Sequence, residues 1–297
     1  MKYTYLSIAN ILIKFEAAGG PMNGVDIITD CMATNFEIQK VQTIHRLKLA
    51  EFWGIKEGDR VLEIGSGQGD TTAVLAYLVG EEGFVHGIDI ASPTYGTPIT
   101  LGESISYLLN SKIGKQIHID FHMDLLADQI EFLEKSFDHI VFSHCAWYMK
   151  SIEEFAALMK KVKKWGKNLC FAEWDTRISV VEQYPHLLSV LIQAQYESFK
   201  KESDANIRTL FTPFDIQKVV REAGWDIEKE HIIFSPELQD AKWEVTKLVK
   251  DLHNELEQLE EIPEKLKSLI FSQMSMLEDF RVTNEITPLS VYAFTAK

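Results

Sequence analysis

Five short apolar runs, each followed by a stretch of helical periodicity, constrain this chain more than any other feature. They are 61–64 (VLEI), 84–89 (FVHGID), 117–122 (IHIDFH), 137–143 (FDHIVFS) and 168–174 (NLCFAEW). Strands joined through a helix pair in parallel, because the crossover returns the chain to the same end of the sheet. The order therefore predicts an α/β fold, with helices on both faces of a mostly parallel sheet. Helices are expected from Asn35 to Gly54, from Thr71 to Gly80, over 102–110 (GESISYLLN) and around Leu126 to Glu134. A further one runs from a Ser151–Glu154 capping box to Gly166.

Beyond the fifth run the spacing predicts a long helix from Val180 to Lys201. Thr212, Pro213 and Asp215 then open another helix, which closes at Ala223-Gly224. A sixth strand covers Ile227 to Phe234, and a last one Leu289 to Thr295. Between them, Glu237 to Phe280 carries Val245, Leu248, Leu252, Leu256 and Leu259 on one helical face, broken at Pro263. Residues 1–34 form an arm or flap, apolar to Phe15 and broken by Gly19-Gly20-Pro21.

Composition sets the outer limits. A chain of 297 residues can bury a full α/β core and still carry a second region. Its net charge of −14 disfavours nucleic acid as a partner, since phosphate contacts need a basic face. Cys31, Cys145 and Cys170 are too few and scattered for a disulfide framework or a zinc site, and the histidines show no metal spacing. The apolar start is short and interrupted by Lys14 and Glu16, unlike a signal peptide, and no run reaches the length of a membrane span. These features together lead to the expectation of a cytoplasmic protein.

The first strand leads into Gly65, Gly67 and Gly69 and then a helix. Such a turn lets a ligand approach the main chain and aims unpaired N–H groups at it. A dinucleotide fingerprint needs its third glycine one residue later, where Asp70 stands, which counts against a nicotinamide oxidoreductase. Glu63 adds a carboxylate inside the strand, and the pattern E-x-G-x-G-x-G resembles the first motif of the class I S-adenosylmethionine-dependent methyltransferases. The resemblance covers about residues 36–235 and the final strand. It implies a Rossmann-like seven-stranded sheet whose last strands form an antiparallel pair. It also implies S-adenosylmethionine as cofactor and S-adenosylhomocysteine as product. The departure is 236–288, where the family usually has a short hairpin. This helical insertion is expected to be a cap or a homodimer surface, or else to pack its leucine stripe on the sheet.

In such sheets ligands sit at the carboxyl ends of the strands. The resemblance then implies that Asp89 accepts from the ribose hydroxyls, and Asp124 from the adenine amino group with Leu125 against the ring. Glu63 and Asp70 would face the methionine amino end, passing Gly65, Gly67 and Gly69. Ser66, Ile90 and Ser143 complete the cofactor set. After the fourth strand the chain reads SHCAWY, without the D/N-P-P-Y/F motif of relatives that methylate amino groups of nucleic acids and proteins. His144 is the candidate base for deprotonating an acceptor, or else a residue that bonds the cofactor or fills space. Trp147, Tyr148 and Trp174 are candidate walls of an acceptor pocket, or core aromatics. Arg177 is a candidate partner for an acidic acceptor group, or a surface residue. The expected activity is methyl transfer to an oxygen, nitrogen or carbon of a small molecule. The alternative is a cofactor-binding protein of the same fold with another role.

Overall fold

The computed structural model describes residues 24–34 and 36–297. Its helices are α1 (Gly24–Thr29), α2 (Phe36–Trp53), α3 (Asp70–Val79), α4 (Leu101–Leu109), α5 (Ile152–Trp165), α6 (Tyr184–Glu197), α7 (Pro213–Glu222), α8 (Asp240–Glu257) and α9 (Glu264–Thr283). The strands are β1 (Arg60–Ile64), β2 (Phe84–Ile88), β3 (Ile117–Asp120), β4 (Phe137–Ser143), β5 (Gly166–Trp174), β6 (Ile227–Ile233) and β7 (Val291–Ala296). They form one seven-stranded sheet in the order β3-β2-β1-β4-β5-β7-β6. Pairing is parallel between β1 and β2 and between β2 and β3, whereas β7 runs antiparallel to both β5 and β6. This is the expected Rossmann-like methyltransferase sheet, and no helix among the described residues is long and apolar enough to cross a membrane.

Two compact units make up the chain, one running to Asp124 with Phe137–His139 added, the other Leu125–Ser136 with Ile140–Lys297. In the first, β1 and β2 are buried almost throughout, as strands covered on both faces must be. The expected arm over 1–34 lies outside the described residues up to position 23. Its remainder is packed: α1 buries Val25 and Ile28, and Cys31 and Met32 follow them into the core. Gly24 lies so close to Tyr77 of α3 that an added Cβ would fall 2.9 Å from the phenol oxygen.

The second unit corrects two expectations. No helix forms over Leu126–Glu134; the segment is turns and loop. Its side chains and carbonyls bind across α5 instead. Lys161 Nζ donates to the Ala127 carbonyl (2.8 Å), Trp165 Nε1 donates to Glu131 (3.0 Å), and Phe132 meets the Trp165 ring edge-on at 5.1 Å. These tertiary contacts outweigh a few tenths of a kcal/mol per residue of helix propensity. The leucine stripe of the insertion does not face the sheet. Val245, Leu248, Leu252 and Leu256 of α8 share a buried core with Ile270 and Leu277 of α9 and with Leu188 and Ile192 of α6. The stripe is thus consumed inside the chain.

Helix starts follow local chemistry. Thr212 and Asp215 form a complete capping box: Asp215 Oδ2 accepts the Thr212 N–H (2.9 Å) and Thr212 Oγ1 accepts the Asp215 N–H (3.3 Å). At Ser151 only half of the box exists. Ser151 Oγ accepts the Glu154 N–H (3.2 Å), while the Glu154 carboxylate accepts from the Lys150 N–H. The long helix begins at Tyr184 rather than Val180, with Pro185 in its first turn. Ahead of it, buried Gln183 accepts the Ser179 N–H (2.7 Å) and donates to the Pro288 carbonyl (3.1 Å).

Candidate functional site

In the first unit, β1 ends in a turn whose three glycines all take left-handed conformations, with φ of 76° at Gly65, 53° at Gly67 and 88° at Gly69. Residues with a Cβ adopt these values only at a cost. The N–H groups of Gly65 and Ser66 donate to the Ile88 carbonyl at 2.8 and 3.1 Å, which fastens the turn to the end of β2. At Gly69 a Cβ would stand 2.8 Å from Ile105 and 2.9 Å from Leu108, so this glycine also admits α4. At Gly67 a Cβ would meet nothing within 4 Å. The adjacent Ser66 Oγ is buried without a hydrogen-bond partner among the described residues.

Asp89 faces this open side. Its Oδ2 accepts the Gly67 N–H at 2.8 Å, and its Oδ1 accepts the Ala91 N–H at 2.9 Å. Ile90, beside it, is 58% exposed, an apolar side chain left bare next to a carboxylate. The Asp89 backbone is tied to β3, since its N–H donates to the Asp120 carbonyl (2.9 Å) and its carbonyl accepts from Met123 (3.1 Å). Asp124 stands exposed just beyond. Asp70 opens α3, and its Oδ1 accepts from Gln39 Nε2 of α2 at 2.6 Å.

Glu63 is buried inside the unit, where its Oε2 accepts from Thr72 Oγ1 at 2.5 Å and so links β1 to α3. Burial pushes its pKa up to about 8, against the opposing pull of the Thr72 hydroxyl and the Arg46 charge. The raised value makes the folded chain hold this proton where the unfolded chain has lost it. The stabilisation is complete below the ordinary carboxylate range near 4.5 and is lost as pH rises through about 8. Glu63→Gln keeps an acceptor for Thr72 and removes the titration. In urea unfolding, its stability relative to the unmodified protein should improve from pH 5 to pH 8, at up to about 1.4 kcal/mol per pH unit. A constant difference across that range would mean that Glu63 is ionised throughout.

The second unit carries the other sequence-derived residues. Leu125 is buried. Ser143 closes β4, its Oγ buried without a hydrogen-bond partner among the described residues. His144 follows with φ of 54°, its N–H donating to the Ala172 carbonyl of β5 at 2.9 Å. A histidine held in this region stores strain of about 1–3 kcal/mol, a frequent mark of functional sites. Its Nδ1 lies 3.8 Å from Oε1 of Glu173.

Glu173 is buried at the end of β5, where Oε1 accepts the Trp174 N–H (3.0 Å) and Oε2 accepts the N–H groups of Ala146 (2.9 Å) and Trp147 (3.4 Å). Burial drives its pKa up to about 7, while these three donors restrain the rise. The His144 ring packs on Trp174 at 4.6 Å, and Trp174 meets His186 edge-on at 5.0 Å. His186 Nδ1 accepts the Leu289 N–H at 2.9 Å, and burial pushes its pKa down to about 3, so the ring is neutral.

The remaining candidates separate. Trp147 is a buried aromatic whose Nε1 donates to the Phe211 carbonyl at 3.1 Å, whereas Tyr148 is exposed. Arg177 directs Nε and Nη2 to the two oxygens of buried Asp175, both at 2.8 Å, and lies over the Tyr292 ring at 5.4 Å. Sequence reasoning missed Glu173, His186 and Gln39. Glu173 had a signal, a carboxylate at the end of an otherwise apolar strand, and His186 stood just after the Pro185 helix start. Gln39 had none.

Known proteins extend this geometry. The methyltransferase domain family matches residues 38–230. A methyltransferase of Diaporthe leptostromiformis, phomM′, is 25% identical over 212 residues, 57% of this chain and 54% of its own length. The chain thus spans about half the length of the curated relatives it matches. The crystal structure of a cyclopropane-fatty-acyl-phospholipid synthase-like protein from Lactobacillus casei ATCC 334 superposes with a TM-score of 0.83 at 33% identity, covering 92% of this chain and 98% of that one. The cyclase SpnF shares the fold alone, with a TM-score of 0.51 at 11% identity over 89% of this chain and 82% of its own. Strand order, glycine turn and family match agree: the chain belongs to the class I S-adenosylmethionine-dependent methyltransferases.

Proposed function

We propose that the protein transfers a methyl group from S-adenosylmethionine to a hydroxyl of a small, largely apolar acceptor. The observation that carries this reading is the Asp89 carboxylate, fixed beside open space at Gly67. Carboxylate lone pairs left over from two backbone N–H bonds suit a vicinal diol such as a ribose. The residues fit the cofactor: Gly65, Gly67 and Gly69 let a chain pass close, and Ser66 Oγ offers an unused polar group. Exposed Ile90 supplies an apolar edge for a base, and Asp70 and Asp124 supply acceptors for amino groups. Glu63, protonated and bonded to Thr72, shapes the turn rather than touching the ligand. When bound, the cofactor supplies an electrophilic methyl group on a sulfonium centre.

The rest of the chemistry belongs to the second unit. His144 takes the proton of an acceptor hydroxyl, and ionised Glu173 stabilises the resulting imidazolium at 3.8 Å. Trp174, backed by buried neutral His186, gives an uncharged aromatic wall, which favours an acceptor without charge. Trp147 serves the core, and Arg177 is engaged by Asp175 and recognises no acceptor.

The test has two arms. Calorimetry should show S-adenosylmethionine binding and no binding of NAD. Incubation with panels of phenols and alcohols should release S-adenosylhomocysteine with a methylated product. Binding without product from any hydroxyl, amine or carbon acceptor would leave a cofactor-binding role alone. Absence of binding would overturn the proposal.

A further inference from the structure

At the edge of the sheet in the first unit, three side chains outside the proposed site converge on one point. His86 on β2 and His118 on β3 are register partners, and Asp120 pairs with Ile88 two residues further on. Alternation along a strand places all three on the same face. The Nε2 atoms of His86 and His118 lie 2.8 and 3.2 Å from one oxygen, Oδ2 of Asp120. All three ligand atoms fall within 4.8 Å of one another.

We propose that His86, His118 and Asp120 bind one divalent transition-metal ion of the zinc type. Ligands held tetrahedrally at about 2.0–2.1 Å from zinc stand about 3.3 Å apart. The observed separations are close enough for small ring movements to admit the ion. Two imidazole nitrogens with one carboxylate suit zinc and its neighbours, whereas magnesium and calcium prefer all-oxygen sites. The donors sit on two hydrogen-bonded strands, and the His86 ring is further set by Phe84 and Phe137 at 6.2 and 6.4 Å. Side-chain exposures of 11% for His86, 56% for His118 and 34% for Asp120 give the ion a way in and leave its fourth position to water. Occupied, the site would clip edge strand β3 to β2.

The test uses the full chain, stripped with EDTA and titrated calorimetrically with zinc chloride and, separately, with magnesium chloride. One equivalent of zinc should bind at micromolar or better affinity, magnesium should give no binding heat, and zinc should raise the melting midpoint. His118→Ala and Asp120→Asn, each on the exposed side of the cluster, should each weaken zinc binding at least about tenfold. Melting of the metal-free variants by circular dichroism verifies that they fold. Zinc affinity in both variants as tight as in the unmodified protein, uptake of magnesium as tight as zinc, or no zinc uptake at millimolar metal would overturn the assignment.

Discussion

Asp89→Ala is expected to weaken S-adenosylmethionine binding by about 10- to 160-fold, since hydrogen bonds to a charged group contribute about 1.5–3 kcal/mol. The carboxylate has two tasks. It holds the Gly67 and Ala91 N–H groups, and in the proposed reading it offers the remaining lone pairs to the ligand. Removing it relaxes the turn and strips the hydroxyls of their acceptor together. Isothermal calorimetry reads the affinity, and a thermal melt verifies the fold. An affinity within twofold of the unmodified protein would place the sugar elsewhere.

The second large effect falls on turnover. His144→Ala should reduce kcat by about 10²–10⁴-fold, the usual span for a lost general base, while S-adenosylmethionine affinity stays nearly unchanged. His144→Asn should show the same loss. Asparagine tolerates positive φ, so this variant separates the missing imidazole from backbone strain at φ 54°. The rate should also depend on Glu173. Only its ionised form supports the imidazolium, so kcat should climb as pH rises through about 7. In Glu173→Gln that limb should flatten, with a lower plateau. Wild-type turnover in both His144 variants would make the residue part of the scaffold and point to an acceptor that needs no deprotonation.

Much of the fold was legible because parallel strands buried on both faces, such as β1 and β2, are written as short, mostly apolar runs. The glycine turn was legible for another reason, since left-handed backbone leaves few residue choices. Asp89 could be placed because it directly ends a recognisable strand. What escaped depended on distant partners. The 126–134 segment has helical spacing, but it is spent on Trp165 and Lys161 of α5. The leucine stripe of α8 announced a buried face without saying that α6 and α9 would cover it. Glu173 became interpretable only once three N–H groups, one on the next residue and two in the turn after His144, were seen to converge on it. The convergence of His86 with His118 and Asp120 arises from strand register, which linear spacing does not encode.

The antiparallel insertion of β7 between β5 and β6 sets an order of assembly for the second unit. As the terminal strand of the sheet, β6 is paired through β7, and β5 has β7 along one side. During synthesis both therefore wait, with backbone donors and acceptors bare, while α8 and α9 emerge. The three-helix core can condense in the meantime, since all three of its helices precede β7 in the chain. Completion then comes as one late closing step, when 291–296 slides between two waiting edges. An agent that captures either edge first would stall maturation there.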